Sequence, residues 1–438
     1  MDTRPPIEAP NESPVLSVAF NQDASRFAVG LPTGFCIYLS RACKLQISRD
    51  LKAGIGLAQM MGNANYVALV GGGRAPKFPQ NKVIIWDDSK GKTALEITTL
   101  TAVRGVQLSK TRVVVVLQNS VRVYAFEKHP KPLAIYETAD NLQGLCCLSD
   151  RYLVFPGRIL GQVQVVHLET DSVSIIPAHN SSLKALQLST DGELLATASE
   201  KGTIIRIYST SSCARIAERR RGTDSATIFS LRFSPSGSML ACTSDKGNLH
   251  IFDVPIAGQR RPSSSSPQPP GSPGRAQQLQ PQSGSAAGGA AAISPLGTSP
   301  GETRTSKWGF LSSIPFGPFA DVYSFASAPF DSGQEPMSGQ GGGGGGTTLI
   351  AGGGPSGTTG GGNSPFSGHD HNAVLGTTAR PMKGIIGWLD ERTLAVVGAG
   401  VDARWEKFLI VESSEGSGGG GGGGLALVRE GWKRYMSS

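Results

Sequence analysis

Two stretches of this chain repeat one another almost position for position. LQLSTDGELLATASEKGTIIRIY, Leu186–Tyr208, lies over LRFSPSGSMLACTSDKGNLHIF, Leu231–Phe252. The offset is roughly 45 residues, and each copy reads as three short apolar strands joined by turns at Asp-Gly, Ser-Gly and Lys-Gly. A meander of that size cannot bury both of its faces alone, so copies must stack on one another. Weaker copies precede the pair. They begin at Leu16–Phe20, Tyr66–Val70, Val113–Leu117 and Tyr152–Phe155, and a last copy uses Ile385–Trp388, Leu394–Gly398, Trp405–Val411 and Leu425–Arg429. The count is seven. No segment holds a 3.6-residue period, and no helices separate the strands, so all-helical and parallel α/β folds are excluded. The fold class expected is all-β, a seven-bladed β-propeller of the WD-repeat type with long disordered loops.

The loops follow from composition. The chain has 58 glycines and 28 prolines in 438 residues, and only 17% of it is charged. Much of that excess sits between Pro255 and Ser306 and in Gly339–Gly362, which hold too little apolar mass to order themselves. The organisation expected is a flexible N-terminus at 1–14, blades one to six at 15–254, and a Ser/Pro/Gly-rich disordered loop at 255–306. An apolar segment with the outer strand of blade six follows at 307–330, with that strand placed at Val322–Ala326. A Gly-rich insertion at 331–380 then leads to blade seven at 381–438, which is interrupted by poly-glycine at 416–424.

Several function classes drop out. No nucleophile elbow, Walker loop or HExxH occurs, and the poly-glycine runs lack the Lys-Ser/Thr that a phosphate-cradling loop needs, so the chain is not expected to be an enzyme or to hold a cofactor. The six cysteines show no CxxC spacing and sit mostly in apolar runs, which suits reduced core thiols and excludes a metal site. The first 14 residues are polar, and no run of about 18 apolar residues occurs, so membrane contact would be peripheral. A formal charge of +8 favours an anionic partner. Nucleic acid is not expected, because no aromatic stacking platform interleaves the basic residues.

The charge is most concentrated at Glu218-Arg219-Arg220-Arg221-Gly222-Thr223, between the two matching repeats. On extended backbone, Arg220 and Arg221 point to opposite sides, so one strand can arm two sites. Arginine suits phosphate because its planar fork donates two parallel hydrogen bonds. The run Arg220-Arg221-Gly222-Thr223-Asp224, with the flanks quoted above, resembles the polyphosphoinositide-binding β-propellers (PROPPINs), whose hallmark is Leu/Phe-Arg-Arg-Gly. LVGGGRAPKFPQNKVIIWDD upstream, and KGIIGW, GAGVDARWEKF and REGWKRY downstream, resemble the same family, and its fungal branch of Svp-like autophagy proteins most. Arg219 departs from the pattern and is expected at the rim rather than on a ligand.

The resemblance implies ligands, namely phosphatidylinositol 3-phosphate and 3,5-bisphosphate, held in two pockets on one rim. The first would use His179, Ser182, Ser199, Thr203, Arg206 and Arg220. The second would use Arg221, Thr223, Thr227, Ser244, Lys246 and His250, with Arg, Lys and His supplying charge. It also implies a monomer that recruits autophagy proteins, including a lipid-transfer partner. Its place would be the cytoplasm and the surfaces of vacuole, endosome, cytoplasmic vesicle and preautophagosomal membrane. The alternative is a protein-binding propeller scaffold that touches lipid only incidentally. The segment carrying Trp308, Phe310, Leu311, Ile314, Phe316 and Phe319 has the composition of an interfacial insertion and equally that of a strip packed on the propeller flank.

Ser-Pro pairs at Ser266, Ser272, Ser294 and Ser299 lie near Arg260, Arg261 and Arg275. Phosphate there would set negative charge against an anionic bilayer. Replacing all four serines with Glu is expected to weaken liposome binding in co-sedimentation; unchanged affinity would refute this.

Overall fold

The computed structural model describes residues 15–255, 322–331, 383–412 and 425–436. These belong to one compact unit, Met1–Ile256 with Asp321–Ser438; the second unit, Ala257–Ala320, lies outside the described residues. The strands pair in chain order into seven four-stranded antiparallel sheets. Blade 1 holds β1 (Ser17–Phe20), β2 (Arg26–Leu31), β3 (Gly34–Leu39) and β4 (Lys44–Asp50). Blade 2 holds β5 (Ile55–Met60), β6 (Tyr66–Gly71), β7 (Lys82–Asp87) and β8 (Lys92–Thr98). Blade 3 holds β9 (Gly105–Leu108), β10 (Arg112–Val116), β11 (Ser120–Ala125) and β12 (Pro132–Glu137). Blade 4 holds β13 (Cys147–Leu148), β14 (Tyr152–Pro156), β15 (Gln162–His167) and β16 (Val173–Pro177). Blade 5 holds β17 (Leu183–Leu188), β18 (Leu194–Ser199), β19 (Ile204–Ser209) and β20 (Arg215–Arg220). Blade 6 holds β21 (Ile228–Phe233), β22 (Met239–Ser244), β23 (Asn248–Asp253) and β24 (Ala326–Pro329). Blade 7 holds β25 (Ile385–Trp388), β26 (Thr393–Val397), β27 (Arg404–Glu412) and β28 (Leu425–Arg434).

Burial runs from the second strand of each blade to the fourth. In β10, β14 and β26 almost every side chain is buried, because blades pack on both faces there. Their sequences accordingly read as unbroken apolar runs. The fourth strands β4, β12 and β16 are mostly exposed; β4 is largely polar, whereas Leu133, Ile135, Val173 and Ile175 of β12 and β16 are apolar and exposed. The outer strand of blade 6 differs from expectation. It runs Ala326–Pro329 rather than Val322–Ala326 and pairs Ile251 with Ala326 through Asn248 with Pro329. Val322 to Phe325 instead lie against the outer strand of blade 5 and the end of β23, as described below.

All four strands of blade 7 come from the C-terminal part of the chain, so closure of the ring falls on contacts between whole blades. Val15 and Gly400 exchange two backbone hydrogen bonds of 2.9 Å. Phe27, Tyr38 and Tyr435 form an aromatic cluster in which Phe27 stacks on Tyr38 at 5.1 Å and meets Tyr435 edge-on at 5.5 Å. The Trp405 indole donates to Ser40 O across the same seam at 3.0 Å. Trp405→Ala should therefore lower the unfolding free energy by about 3–5 kcal/mol, the cost of a large buried aromatic. Equilibrium denaturation would show it, and a loss under about 1 kcal/mol would contradict the assignment of closure to this seam.

Candidate functional site: the shared rim of blades 5 and 6

Blades 5 and 6 end alike at one rim. In blade 5, Leu183 opposes Ser199, Glu200 N donates to Ser182 O, and Gly202 N donates to Ser199 O in the turn before β19. In blade 6, Ile228 opposes Ser244, Asp245 N donates to Thr227 O, and Gly247 N donates to Ser244 O. The sequence repeat thus places two sets of hydroxyls at matching positions. Gly202 has a positive φ of +59°, and a Cβ there would lie 1.8 Å from Ala226 O, so only glycine allows the two blade ends to approach so closely.

The first two arginines of the run, Arg219 and Arg220, finish β20. Its register assigns the faces, since cross-strand neighbours share one side of a sheet. Glu218 opposes Arg206 and Arg220 opposes Ile204, while Ala217 opposes Ile207 and Arg219 opposes Ile205. Ile205, Ile207 and Ala217 pack into the core shared with blade 6. Tyr208, on the Arg206 side, packs into the core shared with blade 4. Arg220 therefore stands on the blade 4 side and Arg219 on the blade 6 side. Arg221 follows Arg219, and its charge is felt by Cys242 and His250 of blade 6.

On the blade 4 side, Arg206 Nε donates to Glu218 Oε2 at 2.9 Å and its Nη1 to Ala178 O at 2.6 Å. Arg215 reaches the same carboxylate oxygen at 3.2 Å. His179 Nε2 shares a 3.0 Å hydrogen bond with Thr197 Oγ1. Ser182 and Thr203 are half-buried at the mouth, and Ser199 is buried. Arg206 is thus already engaged, and it fixes the seam more than it offers an open fork.

On the blade 6 side, Arg221 is only 8% exposed. Its Nε donates to Gly202 O at 2.7 Å, another guanidinium nitrogen donates to Asp224 O, and its backbone N donates to Thr203 O at 2.9 Å. Thr223, Thr227 and Lys246 are exposed, and Ser244 is buried beneath them. His250 Nδ1 shares a 3.1 Å hydrogen bond with Ser324 Oγ. The Val322–Phe325 stretch spans the two groups, because Arg220 N donates to Val322 O at 3.0 Å and Phe325 N donates to Ile251 O at 3.0 Å.

Two expectations change. Arg219 is not a rim residue: it is buried, and its Nε donates to Asp253 O at 2.7 Å, tying blade 5 to blade 6. The histidines do not supply positive charge near neutral pH. Burial, with Arg206 beside it, brings His179 down to about 4, and burial with the Arg221 charge does the same to His250. Thr197 and Ser324, the partners that orient these rings, were not among the expected residues. Thr197 reads as an ordinary strand hydroxyl, and Ser324 lies 74 residues from His250 in the chain. The segment carrying Trp308, Phe310, Leu311, Ile314, Phe316 and Phe319 lies outside the described residues.

The described residues hold no cluster of three His, Cys, Asp or Glu side chains that could bind a metal, and no helix among them is long and apolar enough to cross a membrane. The cysteines are free thiols, and burial pushes Cys43 and Cys242 up to about 12, which suits packing rather than nucleophilic chemistry.

Comparison with known proteins gives concordant results. The family model described as PROPPIN matches residues 15–271. SVP1-like protein 2 of Neurospora crassa is 46% identical over 452 residues, spanning 99% of each chain. Autophagy-related protein 18e of Arabidopsis thaliana is 38% identical over 258 residues, covering 57% of this chain and 68% of that one. Among solved structures, Kluyvelomyces marxianus Hsv2 superposes with a TM-score of 0.63 over 97% of this chain and all of its own, at 20% identity, which speaks for the fold.

The two histidines set a pH dependence. An unfolded His titrates near 6.5, whereas His179 and His250 titrate near 4 in the fold. Between these values the unfolded chain binds more protons, so stability is full above 6.5 and falls as pH drops toward 4. Replacing both with Gln should flatten that decline in urea titrations; an unchanged slope would show that the rings are not buried as described.

Proposed function

Since the chain belongs to the PROPPIN family of phosphoinositide-binding autophagy propellers, we propose that it binds phosphatidylinositol 3-phosphate and phosphatidylinositol 3,5-bisphosphate at two places on this rim. One headgroup is held on the blade 4 side of β20, by Arg220 with His179, Ser182, Ser199, Thr203 and Arg206. The other is held on the blade 6 side, by Arg221 with Thr223, Thr227, Ser244, Lys246 and His250. The observation that carries this reading is the register of β20, which sends consecutive arginines to opposite interblade seams, each fringed by the same set of short hydroxyls. Hydroxyls and backbone amides donate to phosphate oxygens while guanidinium and ammonium groups balance their charge.

Arg221 is fastened to Gly202 O and Asp224 O, so it shapes the turn as well as the local potential. A preorganised charge of this kind loses little freedom when a phosphate arrives. Two sites on one rim make the second capture intramolecular, so a membrane bearing many headgroups is held far more tightly than one soluble headgroup. Bound in this way, the propeller serves as a recruitment scaffold on vacuolar, endosomal and preautophagosomal membranes, with its remaining blades open to autophagy proteins, among them a lipid-transfer partner. No catalytic step is part of this reading.

Liposome co-sedimentation tests it. Wild type should pellet with vesicles carrying 3-phosphorylated inositides, and Arg220→Thr plus Arg221→Thr should not; retained binding would favour a protein-binding scaffold with incidental lipid contact. Arg221→Thr should also cost about 1–3 kcal/mol in urea denaturation, because it strips charged donors from the carbonyls of Gly202 and Asp224; wild-type stability in this variant would contradict that anchoring.

A further inference from the structure

The connector between the second and third strands of blade 5 is polar, Glu200-Lys201-Gly202-Thr203, and that of blade 6 is Asp245-Lys246-Gly247. The equivalent connector of blade 4 reads Gly157-Arg158-Ile159-Leu160-Gly161, and it lies on the same rim. Here Gln162 N donates to Ile159 O at 3.1 Å, closing a tight turn whose third residue, Gly161, has a φ of +78°. Ile159 is 64% exposed and Leu160 is 57% exposed at its tip.

The turn is not loose. His179 N donates to Gly161 O at 2.9 Å, and a Cβ on Gly161 would sit 1.9 Å from His179 O. The aliphatic tip is thereby locked to the residue that begins the blade 4 side of the headgroup site. Ile159, Leu160 and the exposed Leu142 line one cleft of about 100 Å³ together with Ser182, a headgroup residue, and with Lys184. The charges around the tip balance. Arg158 pairs with Glu137 at 2.9 Å, and Asp140, which accepts from Gln118 at 2.8 Å, lines the same cleft as Lys184, so no net negative charge opposes an anionic surface.

We propose that the Ile159–Leu160 turn is an aliphatic membrane contact that enters the bilayer interface beside the first headgroup. The proposal rests on the headgroup reading above. Branched aliphatic side chains fixed on a rigid turn lose little conformational entropy on burial, and each transfers apolar area out of water when the neighbouring pocket is filled. A protein partner would be the other natural occupant of such a tip, but continuity with the headgroup site favours lipid.

The test uses the full chain and phosphatidylcholine vesicles carrying phosphatidylinositol 3-phosphate. Ile159→Ser plus Leu160→Ser should bind these vesicles roughly tenfold more weakly, as expected for losing two partly buried aliphatic contacts, while its affinity for soluble inositol 1,3-bisphosphate stays at the wild-type value. In a second measurement, Leu160→Cys labelled with an environment-sensitive fluorophore should brighten and shift to the blue on the same vesicles. Wild-type vesicle affinity in the serine variant with a label that stays water-exposed would overturn the proposal, and a protein partner would then be the occupant to seek. Arg220→Thr plus Arg221→Thr separates the two readings. If that control loses binding while the serine variant does not, only the membrane role of the turn falls; if the control binds as wild type, the headgroup reading falls and takes this one with it.

Discussion

Extended backbone turns successive side chains to opposite faces, and at the end of β20 those faces belong to two different seams of the ring. Everything functional at the rim follows from that alternation. Arg219 and Arg221 go to the blade 6 side, Glu218 and Arg220 to the blade 4 side. Had the chain curled into a helix or a loose loop here, the same three arginines would crowd into one patch and repel one another. The propeller prevents this by pairing β20 with β19 right up to Arg220, and by fixing Arg221 N to Thr203 O one residue further on.

The architecture also explains why polar groups can be buried so close to the rim. Each blade borrows its core from both neighbours, so a seam is apolar along most of its length and opens only at its ends. At those ends three arginines have fixed acceptors. Arg206 uses Ala178 O and Glu218, Arg219 uses Asp253 O, and Arg221 uses Gly202 O and the carbonyl of Asp224. Neutral histidines fit the same logic, since a second buried cation beside Arg206 or Arg221 would be unfavourable in the free protein. A phosphate bound there, as proposed, would reverse that balance, because it can accept from a protonated ring.

Blades 5 and 6 were legible in the sequence because the first two hairpins of each turn on a glycine and their strands carry apolar runs. The glycines at 192, 202, 237 and 247 all take positive φ, as such turns require. The divergence of Arg220 and Arg221 was legible for the same reason, since period-two alternation needs only the knowledge that the backbone is extended. Other features depend on long-range packing that no local pattern encodes. Arg219 looked like one more surface cation, yet the carbonyl that captures it lies 34 residues away in blade 6. The outer strand of blade 6 was placed four residues too early, because Val322-Tyr323-Ser324-Phe325 is as apolar as a strand but goes to the blade 5–6 seam. The depressed titration of His179 and His250 reflects burial created by neighbouring blades, and residue type alone cannot report it.

The central claim is that adjacent arginines grip separate headgroups, and counting bound headgroups tests it most directly. Titration calorimetry with soluble inositol 1,3-bisphosphate should give two sites per chain for the wild type and one for Arg220→Thr, with the remaining site unchanged in affinity. A single site in the wild type, or two sites surviving in Arg220→Thr plus Arg221→Thr, would contradict the account.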